Sequence, residues 1–283
     1  MLLSFYASDV FYQLYKNSKD KNIKESNEVK YIDNKINSDK PEYLGYITKY
    51  TIFTIATLDW YMTSKHSTKE LMRILKKYHD TFDDTSDRIF GRDFNHWFNR
   101  GANYYRVDYK PTCATWCSIL GYCIKDMRQL KRIVARIVKA TNNTDTALKA
   151  SELATIVVYL SRKNYSKEKL LRYLQKSYNF KPIENFLEII DNQEWYKLDI
   201  NNYVDMALNC LFSCSTTSET KKLCAKLIDL SPAISILAYI FSEAYNTIDN
   251  KNFLSYTRCA LPYKYTLTLI DYDDYILPIR QHR

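Results

Sequence analysis

Residues 47–64 read ITKYTIFTIATLDWYMTS, and the fold turns on them. Wound at 3.6 residues per turn, this stretch puts apolar side chains on nearly every face, so no side of it is left for water. It is predicted to be a helix buried at the centre of a bundle. Around it, residues 2–15 read as an apolar-periodic helix, and residues 16–41, KNSKDKNIKESNEVKYIDNKINSDKP, as a flexible polar loop. Further helices are predicted at 68–79, 125–140, 147–160, 205–212, 218–227 and 233–245, with an aromatic-rich piece at 90–98. Ser166 is placed to cap a helix beginning KEKLLRYLQK. No strand pattern and no internal repeat is found. Residues 261–283 read as a C-terminal extension of a single domain spanning 1–283.

The glycine content supports the same fold class. The 283-residue chain has 4 glycines, where usage of about 7% would supply roughly 20. A phosphate-binding loop or dinucleotide-binding turn needs two or three glycines within a few residues, and no such cluster exists. With 6 prolines as well, the chain lacks the turn residues that an all-β sandwich needs at each hairpin. The expectation is an all-α, compact multi-helix bundle.

The 41 basic and 32 acidic residues leave a net charge of +9, which raises nucleic acid, membrane headgroups or an acidic partner as candidates. Lys, Asn, Ile and Tyr share AT-rich codons and are over-used here, with 26 Tyr, so part of the basicity is expected to be coding drift. One segment is more specific. Met127, Leu130, Val134 and Ile137 fall on one helical face, while Lys125, Arg128, Arg132, Arg136 and Lys139 follow the opposite stripe, an amphipathic basic helix and a candidate contact face. Lys163, Lys167, Lys169, Arg172 and Lys176 continue the basic character.

The 7 cysteines are odd in number and form no CxxC pair, and His66, His79, His96 and His282 are scattered, so no zinc spacing is present. Cys113/Cys117 and Cys210/Cys214 stand four apart and are expected as buried thiols in a reducing, intracellular compartment. The N-terminal MLLSFYASDVFYQLY has no basic region or A-x-A site, so no signal peptide is expected. The most apolar run, residues 232–241, falls short of the ~20 residues of a membrane helix.

Seven short segments, taken in chain order, point further. They are Ser4-Phe5-Tyr6-Ala7-Ser8-Asp9-Val10-Phe11-Tyr12, Thr48-Lys49-Tyr50-Thr51 and Gly91-Arg92-Asp93-Phe94-Asn95-His96-Trp97, then Lys110-Pro111-Thr112-Cys113-Ala114-Thr115-Trp116, Leu120-Gly121, Thr141-Asn142, and Leu227-Ile228-Asp229-Leu230-Ser231-Pro232. In order and spacing over about residues 2–260, these elements resemble the ADP-ribosylglycohydrolase superfamily, an all-α fold that removes ADP-ribose with two magnesium ions. The corresponding family motifs are G-x-x-x-G-D-A-x-G, T-D-D-T, G-x-F-x-x-W, G-N-G-x-x-M-R, L-G, T-H and G-G-D-S-D-T.

The resemblance implies a scaffold whose site residues have been replaced. The family's metal positions fall on Thr48, Lys49, Tyr50, Thr51, Asp229, Ser231 and Pro232, and its ligand positions on Asp9, Pro111, Thr112, Trp116, Thr141 and Asn142. Lys49 and Tyr50 stand where the family has carboxylates. An ammonium ~4 Å from a cation is repelled by about 1 kcal/mol per unit charge even in water, and more when buried. No metal or other cofactor is therefore expected. Lys49 either occupies a former metal position and pairs with Asp229, with Asp9 close by, or extends to solvent unpaired. Phe82-Asp83-Asp84-Thr85 looks like T-D-D-T but is followed by polar Ser86-Asp87-Arg88, and it reads as a solvated turn. Pro111 has no N–H to offer a diphosphate, and side chains around it crowd the approach.

The expected function is a catalytically inactive ADP-ribosylglycohydrolase-like protein with a structural or interaction role, through a protein partner or self-association. Two alternatives stand beside it: an ADP-ribosyl hydrolase with an altered site, and a nucleic-acid or acidic-partner binder using the Lys125 to Lys139 face.

Overall fold

In a computed structural model, residues 48–81, 90, 92–99, 112–227 and 231–246 are described. The predicted helix at 2–15, the polar loop at 16–41, the turn at Phe82 to Thr85 and the extension at 261–283 lie outside them, as do Asp9, Pro111 and Asp229. The described residues form an all-α bundle, and none of them lies in a strand.

The stretch 47–64 folds as α1, Lys49–Thr63, with every residue from Thr51 to Leu58 buried. Thr48 caps it, its Oγ1 accepting from the Tyr50 N–H at 3.2 Å. α2 (Thr68–Asp80) starts at a Ser67 cap, and α3 (Arg92–Asn99) carries the aromatic-rich piece. Next come two short helices, α4 (Cys113–Ser118) and α5 (Leu120–Cys123). The basic helix α6 (Met127–Thr141) begins at an Asp126 cap and buries Leu130, Ile133, Val134, Ile137 and Val138. α7 (Asp145–Arg162) is capped by Thr144 and α8 (Lys167–Tyr178) by the expected Ser166. A short α9 (Phe186–Asp191) leads to α10 (Tyr203–Ser213), α11 (Thr217–Leu227) and α12 (Pro232–Tyr245). α12 buries every residue from Ala233 to Ala244, most of them apolar, with Ser235, Ser242 and Glu243 enclosed among them.

α7 is the axis of the bundle, packing on α4, α5, α6, α8, α10 and α12. α4 is its innermost companion, because α1, α6 and α12 close on it from other sides. All six α4 residues, Cys-Ala-Thr-Trp-Cys-Ser, are buried. No helix is predicted from the sequence between 98 and 125, yet the segment around Thr112 to Trp116 is a helix from Cys113 onward, in the core. The residues explain it: no glycine loosens the stretch, and Ala, Cys and Trp are small or apolar enough to be enclosed.

The short-helix region is locked to α7 at both levels of structure. Gly121 crosses α7 so closely that a Cβ there would lie 2.6 Å from the Thr155 carbonyl oxygen and 2.8 Å from Val158 side-chain carbons. From the end of α7, the Arg162 guanidinium donates to the carbonyls of Gly121, at 3.1 Å, and Tyr122. These are C-terminal helix carbonyls, and a cation suits the negative end of the dipole. Lys167 does the same for α10, donating to the carbonyls of Leu211, at 2.8 Å, and Cys214.

Gly121→Ala is expected to lower unfolding free energy by about 1–3 kcal/mol, the range for overpacking against atoms that cannot swing aside. Urea unfolding measures it, and a change inside about 0.5 kcal/mol, the scatter of an ordinary surface substitution, would show that α5 and α7 are not in this close contact.

Candidate functional site

The predicted site residues come from four places: the head of α1, the start of α4, the end of α6 and the head of α12. α4 touches each of the other three helices and gathers them. Where α1 and α3 meet α4, the structure builds an aromatic core. Trp116, 1% exposed, lies with its ring centroid 4.8 Å from Phe53 of α1 and 6.1 Å from Phe94 of α3. Phe53 also meets Phe90 and Phe94 at 5.2 Å each and Phe98 at 5.9 Å. Ring pairs at these separations add to the burial of their area.

Lys49, in the first turn of α1, sends its ammonium over the Phe94 ring, 4.7 Å from the centroid. The Tyr50 ring lies at 5.7 Å. A cation over an aromatic face is attracted by the ring's quadrupole. Lys49 thus belongs to the aromatic cluster, and its predicted partner Asp229 lies outside the described residues. Thr51 is buried in α1, and Thr48 is occupied as a cap. Ser231 is the buried N-terminal neighbour of α12 and Pro232 its first residue. Thr112 is buried at the start of α4, and its carbonyl accepts from Thr115 Oγ1 at 2.7 Å.

At the end of α6, Thr141 Oγ1 donates to the Ile137 carbonyl at 2.9 Å, and Asn142 is the capping residue. Two N–H donors stand out at the ligand-type positions: Trp116 Nε1 and Asn142 Nδ2 are buried and have no hydrogen-bond partner among the described residues. Indole and amide N–H groups donate but do not titrate, so they hold a ligand atom without moving a proton.

The described part of the predicted metal site does not suit a pair of magnesium ions. Mg²⁺ is bound through carboxylates and water in near-octahedral geometry. Thr48, Thr51 and Ser231 offer neutral hydroxyls, and Lys49 carries a positive charge rather than a carboxylate. Among the described residues, no three His, Cys, Asp or Glu side chains form a group able to hold a metal.

Two polar arrangements, one around a buried histidine and one half-buried, are not evident from the sequence alone. His79 looked scattered, yet it sits in the aromatic core, 4.7 Å from Phe90 and 4.5 Å from Phe98. Its Nε2 faces the Asn95 side-chain amide at 2.8 Å and its Nδ1 the Asp80 carboxylate at 3.1 Å. Burial would raise the Asp80 carboxyl, but hydrogen bonds from Lys76 and His79 outweigh it and hold the group below its ordinary value. The only signal was an acidic neighbour in sequence, since Asn95 arrives from another helix. The second arrangement is Lys131 of α6, 3.9 Å from Glu152 of α7 and beside Tyr178. Burial pushes the Glu152 carboxyl above its ordinary value despite Lys131.

The thiols complete the interior. Cys113, Cys117, Cys210, Cys214 and Cys224 are buried and unbridged, and Cys113 Sγ lies 3.1 Å from Ser151 Oγ. Burial raises the thiols of Cys117, Cys210, Cys214 and Cys224. A thiol raised by burial is a poor nucleophile at neutral pH. No protein-family model matches the chain, and no curated protein matches it either.

The Glu152 shift carries a pH prediction. A carboxyl raised by burial costs the fold its ionised form, so its contribution is most favourable below the unfolded value and is lost as pH rises through the folded one. Glu152→Gln is expected to raise the melting temperature at pH 7, with the gain closing below about pH 4, where the parent side chain is also neutral. A gain independent of pH, or a loss at pH 7, would contradict it.

Proposed function

We propose that the chain is a non-catalytic protein built on an ADP-ribosylglycohydrolase-like helical scaffold and retained for a structural or interaction role. The observation that carries the reading is the enclosure of Trp116. At a position where the resembled family approaches ADP-ribose, this chain has an indole sealed in the core against Phe53 and Phe94. The ammonium of Lys49 over Phe94 adds to it, because this residue stands where the family has a metal-binding carboxylate. A side chain that fills a binding space with well-packed rings replaces the energy of ligand contacts with the energy of burial.

Free, buried thiols fit a reducing compartment, and an intracellular location belongs to the same proposal. No helix among the described residues is long and apolar enough to cross a membrane.

A thermal-shift titration tests the reading, because any ligand that binds the folded state alone must raise its melting temperature. Neither Mg²⁺ nor ADP-ribose, separately or together, is expected to move it. A saturable rise with either, or hydrolysis of ADP-ribosyl-arginine or ADP-ribosyl-serine abolished by Asp229→Ala, would contradict the proposal and favour an altered but working site.

A further inference from the structure

Helix α6 divides its side chains sharply. Leu130, Ile133, Val134, Ile137 and Val138 are consumed by the core, whereas Arg128, Arg132, Arg136 and Lys139 are exposed on the opposite side, with Lys125 exposed just ahead of the helix. Arg128, Arg132 and Arg136 follow one another at intervals of about 6 Å along the axis. Like charges at i,i+4 repel and weaken a helix. Among the described residues, no ion pair offsets this repulsion at any of the five. Arg136 Nη1 donates instead to the His66 carbonyl at 3.3 Å, which ties the stripe to the turn carrying exposed Lys65 and to exposed Lys69 of α2. Two acidic residues described on or beside α6 are engaged by other groups. Asp126 Oδ1 accepts from the Gln129 N–H at 2.7 Å, and Glu152 faces Lys131 on the flank.

We infer that this face binds the phosphate backbone of duplex nucleic acid without reading its sequence. Three features select that partner. Arg, the minority basic residue of this chain, supplies three of the five positions, and its planar fork matches phosphate oxygens in pairs. A helix that lies on a lipid surface must put its apolar side into the membrane, and α6 has already spent that side on the core. Single strands are held by bases stacked on aromatic side chains, and the stripe carries none, Tyr196 and Leu187 being the exposed large apolar residues among those described. A straight row of guanidinium groups with no base-reading platform contacts the backbone and positions rather than specifies. The inference stands independently of the non-catalytic reading, because the basic side chains of α6 are exposed whereas Trp116 is enclosed.

Fluorescence anisotropy of a labelled DNA duplex of arbitrary sequence, titrated with the full chain, tests it. Three phosphates neutralised by the arginines give a log–log salt slope of about −3, so affinity falls roughly 40-fold or more between 50 and 200 mM salt. Arg128→Glu with Arg132→Glu and Arg136→Glu is expected to abolish binding while the melting temperature stays within a few degrees of the parent. The all-Lys triple variant keeps the charge and the salt slope and is expected to bind. Absence of binding at 50 mM salt, binding that survives the charge reversal, or tighter binding to phosphatidylserine vesicles than to the duplex would overturn the inference.

Discussion

Enclosing all six residues of α4 removes its backbone ends from water, and the polar atoms at those ends then need partners inside the protein. The sequence of the helix supplies them locally. Thr115 Oγ1 closes on the Thr112 carbonyl, and Ser118 Oγ donates to the Thr115 carbonyl. Arg162 reaches from the axial helix to the carbonyls of Gly121 and Tyr122 just beyond. Removal of a buried partner of this kind exposes the desolvation penalty of the orphaned group, about 1–3 kcal/mol. α1, α6, α7 and α12 close on α4 with these carbonyls satisfied, while Trp116 Nε1 has no partner among the described residues.

That enclosure also governs what the centre of the molecule can do. Phe53, Phe94 and Trp116 fill the junction of α1, α3 and α4, and the charge at its edge, Lys49, is held by an aromatic face. The unpartnered donor there, Trp116 Nε1, is a non-titrating group, as is Asn142 Nδ2 at the end of α6. Nothing described in this junction combines a nucleophile with a base, as covalent catalysis needs. On the surface, the outward face of α6 holds like charges in a row at a cost to the helix.

The helices legible in the sequence were those whose pattern is local. α1 and α12 showed themselves by apolar residues on every face, α6 by its two-sided periodicity, and α8 by Ser166 one residue before its first turn. α4 and α5 were not legible as helices. They are too short to establish a period, and Cys, Thr and Ser read as loop residues until other helices enclose them. The candidate site was legible in part for the same reason. The replacement of carboxylates by Lys49 and Tyr50 is visible in the chain, but the ring that receives the Lys49 ammonium arrives from α3, and sequence separation conceals it. His79 was hidden likewise, since its amide partner Asn95 belongs to a different helix.

The central claim is that α4 is an interior keystone rather than a loop that opens to admit a ligand, and native-state hydrogen exchange measures this directly. The amides of Cys117 and Ser118 lie inside a helix without solvent contact. They are predicted to exchange only through global unfolding, with the same free energy as the most protected amides of α7. Exchange of those two amides through a low-energy local opening, while α7 stays protected, would contradict the account.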